Sequence, residues 1–224
     1  IEPEVVTGAK LFLSYATAAG ALGLTAKLAL DSVRDNGGSA ALALRSLITT
    51  ALVFCFFEVF PHQAVGVSEV HLILGSTLLL LFGAGATAIG LALGLLLQGL
   101  LFAQFDLPQY GMNVTTLLVP LWGNSLLAKR LIAPGTAYVD LSYKQALALS
   151  TAYQGGIVAW VGFWAVYGNG FSGENLAAVG SFGLAYMSVI LLEPLVDLGV
   201  LAAAKALSSY SRGPLFNARL HQPA

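Results

Sequence analysis

Charge is scarce in this chain: Asp, Glu, Lys and Arg make up 9% of its 224 residues, whereas soluble domains carry roughly 25%. With 57% hydrophobic residues and a mean hydropathy of +0.81, the composition excludes an ordinary soluble domain. Cysteine is nearly absent. The single Cys55 lies in the apolar run Phe54-Cys55-Phe56-Phe57, which rules out a disulfide framework within one chain and leaves packing as its role. The formal net charge is -1, and no basic run exceeds Lys129-Arg130, so a nucleic-acid partner is not expected. The opening Ile1-Glu2-Pro3-Glu4 lacks the basic region of a signal peptide and is not read as a cleavable leader. Walker phosphate loops, Ser/His/Asp arrangements, zinc-ligand spacings and dinucleotide glycine fingerprints are missing as well. An enzyme, or a subunit with its own ATPase site, is therefore not expected.

What the chain has is apolar runs of helix-spanning length. They are continuous rather than alternating, and rich in Ala and Leu, which favours helices over a β-barrel. The expected fold is an all-α, polytopic membrane bundle of about seven transmembrane helices. The spans fall at roughly 7–30, 43–60, 69–83, 86–104, 112–132, 145–168 and 176–206, the third being short. Residues 1–210 form a single transmembrane helical domain and 211–224 a cytoplasmic tail in this reading. Lys27, Arg34, Arg45, Lys129, Arg130, Lys144, Lys205, Arg212 and Arg219 gather on one side if the N-terminus is outside and the C-terminus cytoplasmic. Lys10 alone breaks the pattern, while Glu69, Asp106 and Glu174 populate the outer loops.

Small residues mark close approaches. Gly83-Ala84-Gly85-Ala86 connects the third and fourth spans and demands a tight antiparallel pair. Ala86, Gly90 and Gly94 repeat at four-residue spacing and open a groove for another helix, within this chain or in a partner subunit. Ala16 with Gly20, and Ala19 with Gly23, repeat the device in the first span.

Polar groups in an apolar phase are costly and mark candidate sites. His71 starts the third span, where Ser68 is expected to cap the helix and Glu69 to suit its positive end. It is read as a ligand or, equally, as a structural residue. His62 follows Pro61 and is expected to be a solvated interface residue, and His221 to lie in a disordered tail. The segment Asp106-Leu107-Pro108-Gln109-Tyr110-Gly111-Met112-Asn113 suggests a re-entrant turn, with Asn113 capping or lining the fifth helix. Acidic Glu58 and Glu69 are either cation attractors at the outer mouth or plain interface charges. Glu193 and Asp197 share one face of the last span, so that one is protonated or a partner such as Lys205, an arginine or a hydroxyl satisfies them; a structural or subunit-contact role is preferred to a proton or cation site. Gln98 and Gln154 are candidate interhelical hydrogen-bond partners.

Three stretches, Ser68-Glu69-Val70-His71-Leu72-Ile73-Leu74-Gly75, then Leu95-Leu96-Leu97-Gln98-Gly99-Leu100-Leu101-Phe102, then Asp106-Leu107 with Gly111-Met112-Asn113, resemble the CbiM/NikM family over roughly residues 60–135. These are the substrate-binding S components of cobalt and nickel energy-coupling factor transporters. The resemblance implies a multi-pass protein of the bacterial inner membrane that binds Co(II) or Ni(II) as substrate. It also implies a transmembrane coupling subunit and nucleotide-binding ATPase subunits as partners. His71 matches a metal ligand, and Asn113, Ser68 and Glu69 fall around the pocket. In the family a leading Met-His-Ile supplies the terminal amine, a backbone nitrogen and an imidazole, a donor set that suits Co(II) or Ni(II) better than Mg or Ca. Ile1 aligns with the third of those residues. Either the Met-His pair precedes Ile1 in the gene product and the site is whole, which is the preferred reading, or the pair is missing and the scaffold has retired from transport. The alternative function is a structural or accessory subunit of a larger membrane complex, with Trp160, Phe163 and Trp164 packing on neighbours and histidine ligating pigment or haem.

Overall fold

The computed structural model describes residues 1–222, and it is an all-α membrane bundle. Helices α1 (Leu11–Asp35), α2 (Gly38–Glu58), α3 (Gly75–Phe82), α4 (Ala84–Leu101), α5 (Tyr110–Leu131), α6 (Tyr143–Asn169), α7 (Gly173–Met187) and α8 (Glu193–Ala206) carry the architecture. A two-stranded hairpin, β1 (Gln63–Val65) and β2 (Ser68–Val70), is inserted between α2 and α3. Five helical stretches among the described residues are long and apolar enough to cross a membrane: Gly8–Asp35, Gly38–Glu58, Ala84–Leu101, Tyr143–Asn169 and Gly173–Ala206. Large apolar side chains such as Phe12, Leu47 and Leu184 stay 73%, 69% and 81% exposed, as expected of surfaces facing lipid. Helix α5 runs through the interior instead, burying Met112, Val114, Leu117, Leu118 and Leu121.

Three threonine hydroxyls inside the bundle are satisfied locally. Thr25, Thr115 and Thr116 donate to the carbonyls four residues earlier, those of Ala21, Gly111 and Met112, so a polar side chain costs little in an apolar helix. The small-residue groove of α4 is filled from within the chain. A Cβ on Gly90 would stand 2.3 Å from Thr49 Oγ1, and one on Gly94 2.6 Å from Val53; Thr49 Oγ1 also donates to Ala86 O at 2.7 Å. Helix α2 therefore packs on α4 at the four-residue stripe. Gly156 likewise makes room for the Pro120 ring of α5.

The third span departs from expectation. Residues 63–70 form an antiparallel hairpin pairing Gln63 with Val70, Ala64 with Glu69 and Val65 with Ser68, and α3 does not begin until Gly75. At eight residues, α3 is only about 12 Å long and does not span. Ser68 sits in β2 rather than capping a helix, the residue preceding α3 is Leu74 with no side-chain cap, and His71 lies ahead of the helix rather than in its first turn. The apolar stretch is the same in either conformation, so hydropathy alone does not distinguish them. What holds the non-helical backbone is side-chain support: Gln154 Nε2 donates to Ile73 O at 3.0 Å, the kind of substitution that irregular backbone at membrane depth requires.

Two further differences follow from local chemistry. The last span is interrupted by a 3-10 turn over Ser188–Leu191, and α8 restarts with Pro194 in its first turn, where the missing N–H is not needed. The described part of the tail, residues 211–222, is folded rather than loose. Asn217 N donates to Leu81 O at 2.7 Å, Phe216 stacks on Phe82, Leu220 is fully buried, and His221 Nε2 lies 2.6 Å from Ser211 Oγ. Arg219 donates to the carbonyls of Ile132 and Ala133, and Arg45 donates to those of Ala41, Asn36 and Phe216. These contacts strap the tail across the end of the bundle that holds the Gly83 turn.

Candidate functional site

The opposite end of the bundle holds a cavity, and three irregular segments build it. The first is the N-terminal segment. Val5 and Val6 are buried, and Gly168 lets the segment pass so closely that a Cβ there would meet Val5 O at 1.8 Å. A turn from Val5 N to Glu2 O, a bond from Glu2 N to Val67 O and one from Gln109 Nε2 to Pro3 O then direct Ile1 inward. Its nitrogen donates to Asn113 Oδ1 at 2.9 Å.

The second segment is the hairpin. Gly66 has φ +63°, and a Cβ on it would lie 2.1 Å from Ala178 O, so its turn is pressed on α7 in a conformation that favours glycine. This seating aims His71 at the cavity. The imidazole is 8% exposed, with Phe57 4.7 Å and His62 5.2 Å away between ring centres. His71 Nε2 lies 3.1 Å from Glu69 Oε2, whereas its buried Nδ1 has no hydrogen-bond partner among the described residues. Burial pulls the imidazole below its ordinary pKa although Glu69 opposes the shift, so the ring is neutral at pH 7 and keeps a lone pair for a ligand. The hydrogen bond from His71 in turn pulls Glu69 down.

The third segment is a 3-10 helix, Gln104–Gln109, which runs straight into α5. The expected re-entrant turn is not formed. Gly111 serves a different purpose, since a Cβ there would meet Ser14 O at 2.9 Å and part α5 from α1. Asp106 stands at the rim, where burial raises its carboxyl to about 6, and burial raises Glu2 as well.

His71, Asn113, Ser68 and Glu69 all line this one cavity, together with Gln98. Asn113 lies inside the first turn of α5, whose N-cap is Gln109, so it lines the site and caps nothing. Glu58 is not part of the lining. His62 is exposed as expected but also stacks over His71. Sequence reasoning did not place Glu2 and Tyr110 in the site, and both also line the wall; that the segment ahead of α1 inserts was implied by the family resemblance at Ile1, and the paired Val5-Val6 is its mark in composition. Among the described residues, no group of three or more His, Cys, Asp or Glu side chains is arranged to hold a metal ion. His71 and Ile1 line the same cavity.

No curated protein and no solved structure gave a significant match to the chain. A family model described as the cobalt uptake substrate-specific transmembrane region, CbiM, matches residues 1–209, including every element that builds the cavity. The chain belongs to the CbiM family of cobalt-uptake membrane proteins.

Proposed function

We propose that the chain is the substrate-capture subunit of an energy-coupling factor transporter, and that it takes Co(II), or Ni(II), into the cavity at His71. The observation that carries this reading is a buried, neutral imidazole whose Nδ1 is unpartnered, in the same cavity as the backbone nitrogen of Ile1. Nitrogen donors select late first-row metals over Mg and Ca, which prefer oxygen. A Met-His pair bonded to the Ile1 nitrogen would bring its own donors to the wall shared by His71 and Asn113, with Ser68 and Glu69 beside the imidazole.

The rim completes the capture device. Glu2, Glu69 and Asp106 all line the cavity, and carboxylates there raise the local concentration of a divalent cation. The cavity end faces outside and the strapped tail faces the cytoplasm, in accord with the basic residues near the tail. The energy for transport comes from nucleotide-binding ATPase subunits acting through a transmembrane coupling subunit in this reading, because the chain carries no phosphate loop.

The test is equilibrium binding of Co(II) and Ni(II) to the purified chain carrying Met-His ahead of Ile1, beside the same protein with His71→Ala. One metal per chain is expected for the first and none for the second. Equal binding by both overturns the assignment of His71.

A further inference from the structure

On the tail side of Gln154, away from the cavity, lies a second polar cluster that metal capture does not use. Glu193 and Asp197, on consecutive turns of α8, are both 0% exposed. Lys205, one candidate partner, pairs with Asp140 instead, and no Lys, Arg or His among the described residues makes a salt bridge to either carboxyl. Their partners are neutral. Ser76 Oγ lies 3.0 Å from Glu193 Oε1 and 2.9 Å from Asp197 Oδ2. Thr77 donates to Asp197 Oδ1, while Ser150 and Gln154 Nε2 both donate to Glu193 Oε2.

The hydrogens in this cluster do not add up if both carboxyls are ionised. Five contacts reach the carboxyl oxygens. The hydroxyls of Ser76, Thr77 and Ser150 supply one hydrogen each, and Gln154 supplies one, its other N–H being engaged by Ile73 O. A hydroxyl has a single hydrogen, so Ser76 donates to one carboxylate and must accept from the other. Gln154 gives an independent sign of the same deficit. Its side chain is 0% exposed and is aimed into the cluster by its amide nitrogen, yet its Oε1 has no hydrogen-bond partner. The cluster has more acceptors than hydrogens.

We propose that Glu193, Asp197 and Ser76 form a proton-binding site inside the bundle, holding one proton shared between the two carboxyl groups. The proton bonds a carboxyl oxygen and is donated to Ser76 Oγ, whose own hydrogen goes to the other carboxylate, leaving a single negative charge on the pair. That charge sits at the first turn of α3, where the helix dipole and the Ser76 and Thr77 hydroxyls stabilise it. Two ionised carboxyls one turn apart on α8 would repel each other in this dry position. The ionisable groups facing the pair from the other packed elements are the phenols of Tyr153 on α6 and Tyr186 on α7. Both hydroxyls lack hydrogen-bond partners. The site also touches the ligand-bearing segment, because Gln154 bonds Glu193 with one hydrogen and Ile73 O, two residues beyond His71, with the other. Proton occupancy therefore acts on the backbone that presents the imidazole.

Infrared spectroscopy of the metal-free protein tests this without reference to metal capture. At neutral pH the unaltered chain is expected to show the C=O band of a protonated carboxyl, and the band is expected to persist in Asp106→Asn, which removes the rim acid. Glu193→Gln and Asp197→Asn are each expected to abolish it, because the new amide supplies the missing hydrogen and leaves the remaining carboxyl ionised. Absence of the band in the unaltered chain, whose folding is not in question, overturns the proposal. So does its survival in either variant that retains full helicity by circular dichroism, or its loss in Asp106→Asn.

Discussion

Replacing Gly90 by alanine tests whether the α4 stripe is an internal seam. The new Cβ would stand 2.3 Å from Thr49 Oγ1, 2.5 Å from Thr49 Cβ and 2.8 Å from the Thr49 carbonyl carbon, where carbon contacts settle at about 3.5–4.0 Å. Rotation of one side chain does not relieve this, since backbone is among the atoms struck. Helices α2 and α4 must part by about 1 Å, at an overpacking cost of roughly 1–3 kcal/mol. The hydrogen bond from Thr49 to Ala86 O is stretched at the same time, which loses about 0.6–1.5 kcal/mol. Alanine returns up to about 1 kcal/mol through its higher helix propensity. The net expectation is a loss of about 1–3 kcal/mol, read as a lower midpoint of unfolding in a denaturing-detergent titration. Gly20→Ala in α1 is the internal control. Its Cβ meets nothing within 4 Å, so only the propensity gain remains and stability is unchanged or higher. Equal destabilisation by the two substitutions, or none by Gly90→Ala, would refute the packing assignment.

Gly66→Val is expected to displace the hairpin, because it needs φ +63° and would collide with Ala178 O; Co(II) binding should fall well before global stability does, measured by titration beside a melting curve. Asp106 carries a folded pKa of about 6 against an ordinary 3.8, so its contribution to stability is present below roughly pH 4 and is lost as pH rises through about 6. Asp106→Asn should therefore raise the melting temperature at pH 8 and leave it unchanged at pH 4, and a pH-independent effect would contradict burial as the cause. Arg219→Ala removes the hydrogen bonds to Ile132 and Ala133 and the stacking on Tyr138. The strap should loosen by about 1–2 kcal/mol, seen as faster proteolysis between Ser211 and Phe216 with the bundle intact.

The helical class was legible because the evidence for it is summed over long windows: scarcity of charge and continuous Ala- and Leu-rich runs survive any local exception. The stripe Ala86, Gly90 and Gly94 was equally legible as a close approach, since a missing Cβ has the same meaning whichever helix fills the gap. That the occupant is α2 rather than a partner depends on Thr49 and Val53, residues with no local mark of that role. Around the site, the convergence of His71, Asn113, Ser68 and Glu69 on one cavity came from resemblance. Their spacing carries no periodicity that would bring them together.

The break between His71 and Gly75 was illegible for a more general reason. Apolar residues are needed at that depth whether the backbone is helical or extended, so hydropathy reports the surroundings and not the conformation. What decides it is who supplies the hydrogen bonds that a helix would have made, and here one donor is Gln154, far off in sequence. The same distance hid the satisfaction of Glu193 and Asp197, whose partners Ser76, Thr77 and Ser150 lie 43 to 121 residues away. Read singly, those hydroxyls are ordinary helix residues. Gln154 joins both features: it releases the His71 segment from helical geometry and fixes one carboxyl of the acid pair. Gln154→Leu therefore removes support from both at once, whereas Ser150→Ala disturbs the acid pair alone, and comparing the two separates the cavity from the acid pair.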